Sequence, residues 1–377
     1  MVAETARPEG KGTPAAASEL QTLVAVSAAH LISHFYIVTL PVLVPVLKEQ
    51  LDVSFFELGL ALTAFNVVSG LTQAPMGFLV DRVGARRVLI AGLLLGGLAF
   101  AAFGLMTTYP VLLATAVLAG LANCVYHPAN YAILADAISE HRAGRAFSIH
   151  TFAGFLGGAI APAILFGLIA FAGLGAALAF CALFGPAVAI ALLAMPPPRA
   201  AANAAHVQRP AAAASKGASP GALAGVLTPA ILSLTVFFTL LALSNSALQN
   251  FSVVALMGSQ GLSLSAANVS LTAYLLFSAL GVLAGGTLAD RTQRHGELAA
   301  AGFGAAAAIV ALMATLALPA PVLVVGMGLA GFLSGMMMPS RDMLVRKAAP
   351  PGAAGSVFGI VSTGFNIGGI IGPLMFG

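Results

Sequence analysis

The sequence predicts an all-α protein that crosses a membrane many times, and three observations predict it. Of 377 residues, 59% are hydrophobic and only 7% charged, where a soluble domain carries about 25% charged residues. The apolar residues gather into eleven runs of about 20 to 27 residues, each long enough to cross a hydrocarbon core of about 30 Å. Of the 16 Lys and Arg residues, 15 fall on alternate connections between these runs, leaving Lys48 alone on the other side. A barrel would instead show apolar and polar residues alternating in runs of about ten. In lipid every backbone polar group needs an internal partner, so helices are the remaining solution.

Residues 1–20 mix Glu4, Arg7, Glu9, Lys11 and Glu19 with Pro and Ala and contain no apolar core. They read as a disordered cytoplasmic tail, not a cleaved signal. Cutting the rest at charge clusters and Pro/Gly punctuation places the spans at 23–47, 58–80, 88–106, 110–135, 146–171, 174–195, 229–257, 266–289, 298–318, 321–345 and 356–377. The basic connections hold Arg7 and Lys11; Arg82, Arg86 and Arg87; Arg142 and Arg145; Arg199, Arg209 and Lys216; Arg291 and Arg294; and Arg341, Arg346 and Lys347. By the positive-inside rule these face the cytoplasm, which sets the N-terminus there and gives the basic residues a topological role, with no call for nucleic acid. Cys124 and Cys181 both lie within apolar runs without metal-ligand spacing, and no cofactor motif appears.

The stretch 196–228, rich in Pro, Ala and Ser at its start, reads as a cytoplasmic linker between a six-helix bundle at 21–195 and a second bundle at 229–377. Shifting the chain on itself by 211 positions aligns Pro110 with Pro321, Gly120 with Gly331, Pro128 with Pro339, Gly144 with Gly355 and Phe147 with Phe358. Gly157, Gly158 and Pro162 then meet Gly368, Gly369 and Pro373. The second bundle therefore repeats the first, with five of its six helices present; either a twelfth helix is expected beyond Gly377 or the span count is odd.

Between spans two and three stands Gly77-Phe-Leu-Val-Asp81-Arg82-Val-Gly84-Ala-Arg86-Arg87, and between spans eight and nine a degenerate copy keeps Gly286, Asp290 and Arg291 but has Gln293 in place of Gly. This loop resembles the signature of the major facilitator superfamily. The resemblance implies two pseudo-symmetric six-helix bundles, a monomer, and transport of a small molecule across the bilayer by alternating access. It also implies a cytoplasmic gate in which Asp81 meets the start of the eleventh helix at Gly355 and Ser356, with Asp136 as a further acidic partner. His30, His34 and the Tyr126-His127-Pro128 stretch resemble the fosmidomycin-resistance branch of exporters, while Ser33 and Ala129 stand where that branch usually carries acidic residues. Gly157-x-x-x-Ala161-Pro162 and Gly368-x-x-x-Gly372-Pro373 are similar to degenerate antiporter motifs. Together these imply a proton-coupled exporter in a bacterial inner membrane, with a proton-coupled importer of a small organic anion, or a non-transporting membrane sensor, as the alternatives.

The residues themselves suggest where the work is done. His30 and His34 share one helical face within an apolar run; they are either proton carriers or neutral imidazoles bonding between helices. A zinc site has no support at this level, because no Cys or carboxylate joins the pair at ligand spacing. His127, beside Asn123, Asn130 and Tyr131, is a candidate for substrate or proton, whereas His141, His150, His206 and His295 read as interfacial or solvated. Asn66, Ser69 and Gln73 form a polar stripe, with Asn245, Gln249 and Asn366 as further cavity candidates or interhelical bonds. Arg341 and Asp342, about 100° apart on a helix, need not pair. Counting helical rise places Arg341 near the cytoplasmic mouth, either in a gate or binding an anion with Asp342 as proton carrier. No nucleophile, base and orienting acid stand together as an enzyme would need.

Overall fold

A computed structural model of the protein describes residues 14–195 and 226–376. Helices account for its regular structure: α1 (Pro14–Leu51), α2 (Phe55–Val83), α3 (Ala85–Leu105), α4 (Tyr109–Ala137), α5 (Glu140–Ala194), α6 (Pro229–Ser246), α7 (Ser252–Gln260), α8 (Leu264–Asp290), α9 (His295–Thr315), α10 (Ala320–Ala348) and α11 (Ala354–Phe376). The 55 residues of α5 would span about 80 Å if straight, far more than a bilayer. The helix is broken at Gly173, where φ is 80° and ψ 175°, a left-sided conformation that glycine adopts without steric cost. Spans five and six are thus joined without a loop; with α5 taken as one, ten helices among the described residues are long and apolar enough to cross a membrane, and the break at Gly173 makes them eleven segments.

Two differences from expectation follow from local chemistry. Helix α1 starts at Pro14, ahead of the expected border at residue 21, and Glu19 reaches Arg142 at 3.3 Å. Span seven is not one straight helix: a π-turn at Ala247–Phe251 separates α6 from α7 and shifts the register of the polar residues beyond it. Residues 1–13 and most of the expected linker, 196–225, together with His206, Arg7, Lys11, Arg199, Arg209 and Lys216, lie outside the described residues.

Packing divides the helices into α1–α5 and α6–α11, which meet where α2 crosses α11 and α5 crosses α8. Hydrophobic burial supplies no net drive between helices in lipid, so association depends on close approach by small residues and on interhelical hydrogen bonds. Gly120 of α4 lies against the Phe65 carbonyl of α2, and Gly331 of α10 lies against the Tyr274 carbonyl of α8 in the same way. Tyr36 shows the polar contribution. Its hydroxyl donates to the Cys181 carbonyl at 2.6 Å and accepts from the Gly185 N–H at 2.9 Å. The phenol thereby inserts into the backbone ladder beside Pro186 and satisfies groups that lipid would leave bare.

Candidate functional site

At the basic end of the molecule two carboxylates clasp the halves together. Asp81, at the end of α2, accepts from the N–H groups of Gly355 and Ser356 at 2.8 Å each and from the Ser356 hydroxyl. These are orphan donors in the first turn of α11, where the helix dipole favours an anion. A side chain at Gly77 would collide with the Gly355 carbonyl, so only glycine lets the two backbones approach this far. In the related half, Asp290 accepts from the Gly144 N–H at 2.7 Å, more weakly from Arg145 N at 3.4 Å, and pairs with the Arg145 side chain at 2.7 Å. Arg346 adds bonds from its guanidinium to the carbonyls of Ala135 and Ile138 at 2.9 and 2.8 Å, and the charge of Asp136 acts on the same guanidinium.

The signature residues therefore divide. Asp81 and Gly77 join the halves, whereas Arg86 donates to the carbonyls of Leu192 and Met195 and so holds the end of α5 within its own half. Gly84 turns the chain from α2 into α3 with φ of 102°. Arg82, Arg87 and Arg291 are exposed and enter no ion pair among the described residues. Asp81→Asn should weaken the α11 clasp by exchanging a charged acceptor for a neutral one. Spin labels across the basic face should show a longer mean separation at near-normal expression; unchanged distances with intact transport would remove the clasp from the mechanism.

Behind the clasp lies a cluster of imidazoles. His30 and His34 of α1 meet edge to face with centroids 4.7 Å apart, and His127 of α4 lies 5.5 and 6.4 Å from them. His150 stacks on His30 at 3.9 Å with 11° between planes. The expectation that His150 is interfacial or solvated is thus wrong. Helix α5 begins at Glu140, so residue 150 sits about 15 Å inside it, and its ring is fully buried. His295, also expected at an interface or in solvent, is buried in protein at the start of α9, whereas His141 is exposed. Gly154 makes the cluster possible: a Cβ there would stand 2.7 Å from His30 Cε1 and 2.9 Å from His34 Cδ2.

Tyr131 links the cluster to the second half. It stacks near His127 at 6.0 Å and on Phe358 of α11 at 4.4 Å, and its hydroxyl donates to Asp342 Oδ2 at 3.3 Å. Asp342 is fully buried and pairs with its neighbour Arg341, whose Nη2 and Nε lie 2.8 and 2.9 Å from Oδ1. The pairing, which helical angles left open, forms because the long guanidinium folds back across the angle between adjacent helical positions and each ion needs a counter-charge out of water. One expectation is corrected: Arg341 is buried two turns inside the end of α10, its guanidinium over Phe238 at 4.8 Å and Phe365 at 5.4 Å, and not at the mouth.

The polar stripe of α2 serves several neighbours. Ser69 accepts from Asn123 of α4 at 2.8 Å; Gln73 accepts from Asn366 of α11 at 2.7 Å, a bond across the halves. Asn66 is exposed and donates to its own helix at Leu62. Asn130 is buried with neither amide atom hydrogen-bonded. In the second half, Asn245 accepts weakly from Tyr274 at 3.4 Å, and Gln249, within the π-turn, is exposed. An apolar groove of about 660 Å³ beside Ala74, Phe78, Ile360 and Thr363 holds none of the imidazoles.

His150, Arg346 and Gly154 escaped sequence reasoning. The repeat held a signal for part of this, because the shift of 211 also superposes Tyr131 on Asp342 and Ala135 on Arg346, and each pair is in contact.

The chain is 24% identical over 351 residues to the uncharacterized transporter YfnC of Bacillus subtilis, covering 92% of this chain and 84% of that protein. An 89-residue segment is 34% identical to the bacillibactin exporter of the same organism, covering 22% of each. Among solved structures, FucP in its outward conformation shares the fold with a TM-score of 0.76 at 13% identity, over 95% of this chain and 92% of that one. The Major Facilitator Superfamily model matches residues 26–373, so the clasped two-part bundle is a member of that family of membrane transporters, and not an enzyme.

Proposed function

We propose that the protein is a proton-coupled exporter of a small organic solute, working as a monomer by alternating access in a bacterial inner membrane, with its N-terminus in the cytoplasm. The observation that carries this reading is the convergence of His30, His34, His127 and His150 beside the buried Arg341–Asp342 pair, where the two halves meet. Neutral imidazoles at His34 and His127, both partly accessible, offer lone pairs to donors on a solute. A proton taken up by the same nitrogens abolishes those acceptors, so solute and proton exclude each other, which is the logic of antiport. Opening the basic face requires breaking the bonds of Asp81, Asp290 and Arg346 together with those joining Tyr131 to Asp342 and Gln73 to Asn366. In this reading, a solute loaded at the cluster lies next to the contacts that must yield. The likeness to fosmidomycin-resistance-like exporters and the partial match to an exporter agree with this direction.

One observation favours a second reading, import of a small organic anion with protons. A proton on Asp342 would free Arg341, over its two phenyl rings, to receive a carboxylate or phosphate, so proton and anion would bind together. Protein in sealed vesicles with an imposed proton gradient, offered a library of organic solutes, separates the two. A solute moving against the proton flow supports export by antiport, one moving with it supports the anion importer, and solute flux indifferent to the gradient overturns proton coupling.

A further inference from the structure

His34 is one turn from His30, and the fold adds His127 from another helix. One ring nitrogen from each of the three lies within 4.8 Å of the others. The Nδ1 of His30 lies 2.7 Å from the His150 carbonyl, and since a carbonyl only accepts, this nitrogen carries the hydrogen. The lone pair then sits on Nε2, which is buried without a hydrogen-bond partner in a residue only 3% exposed. An imidazole held by its other N–H on a carbonyl, with a free lone pair, is the arrangement of a metal-ligating histidine. His150 is a spectator, because its ring stacks parallel on His30 and in-plane lone pairs of stacked rings cannot aim at one ion.

We propose that His30, His34 and His127 form an open three-histidine site for a borderline divalent transition-metal ion such as Zn²⁺. Zinc–nitrogen bonds of about 2.0–2.1 Å at tetrahedral angles require nitrogens about 3.4 Å apart. The present spread closes to that by rotation of His34 and His127, the two partly accessible rings, onto the fixed His30. Three neutral imidazoles with a vacant fourth position match the ligand set of open zinc sites, and an oxygen donor, hydroxide or a solute oxyanion, fills the fourth place and lowers the charge. The inference rests on donor geometry and does not require proton coupling.

The test is Zn²⁺ titration of the tag-free full chain in detergent against a competing chelator, with zinc X-ray absorption on the loaded protein. One equivalent should bind, with three imidazoles and one oxygen in the absorption spectrum. His34→Ala and His127→Ala should each lower affinity by at least about 100-fold, beyond the 10–100-fold that losing an outer-shell partner costs. Gly154→Ala, which keeps every ligand but crowds His30 and His34, should weaken binding as well. Absence of stoichiometric uptake overturns the proposal, as does affinity unchanged in both histidine variants, which would place the ion at His141, His206 or His295. If a variant does not fold, the wild-type spectrum decides, and fewer than three imidazoles is a negative result. Metal binding without proton-coupled flux would leave this site standing and remove the coupling role, and the reverse result would do the opposite.

Discussion

Replacing Asp342 with Ala should destabilise the folded protein by about 3–5 kcal/mol, the usual consequence of leaving one member of a buried ion pair without its counter-charge. Arg341 is 4% exposed and Asp342 fully buried, so water cannot substitute for the lost carboxylate. The Tyr131 hydroxyl would lose its acceptor in the same step, adding about 1 kcal/mol. The double replacement Arg341→Met with Asp342→Leu removes both charges at similar volume and should recover most of the loss, because swapping a whole buried pair for apolar residues is often neutral or stabilising. Thermal unfolding in detergent reads both. A double variant no more stable than Asp342→Ala would show that charge pairing is not what the site contributes. On the functional side, the double variant should fold and yet fail to transport, since this pair and Tyr131 connect α4 to α10 across the halves.

The second large effect concerns the driving force. A gradient of one pH unit is worth about 1.4 kcal/mol per proton, enough to hold about a tenfold accumulation at one proton per solute. In His30→Gln with His34→Gln, the amide of residue 30 can still donate to the His150 carbonyl and both side chains keep approximate size, but neither titrates. Gradient-driven accumulation should fall to a ratio of about 1, while solute binding and exchange down a solute gradient persist. The measurement is uptake into vesicles with and without the proton gradient. Retention of uphill transport with normal pH dependence would make the two histidines structural and leave Asp342 as the leading proton carrier.

How much of this was legible beforehand varied with the range of the interaction. The Asp81 contact with Gly355 and Ser356 was implied by the signature loop, because that motif encodes a helix end meeting a carboxylate. Of the glycines at the seam, Gly144 and Gly355 were visible as a 211-residue repeat. In contrast, His150 was misplaced by an error of a few residues in where α5 begins. The pairing of Arg341 with Asp342 was left open because helical angles describe Cβ directions, not the reach of a guanidinium deprived of water.

The sequence by itself determined that the chain is an all-α membrane protein with long apolar helices, and the 211-position register that relates its fourth and fifth spans to its tenth and eleventh. Each of these follows from apolar length, charge spacing or register along one chain, which local composition encodes. Only the tertiary structure decided which polar residues share a site. His127 comes to His30 and His34 from α4, His150 from α5 and Asp342 from α10, separated by up to 312 positions in sequence. Within lipid their convergence depends on how closely small residues such as Gly154, Gly120 and Gly77 let particular helices approach. That packing is a property of pairs of surfaces, so no single stretch of sequence carries it.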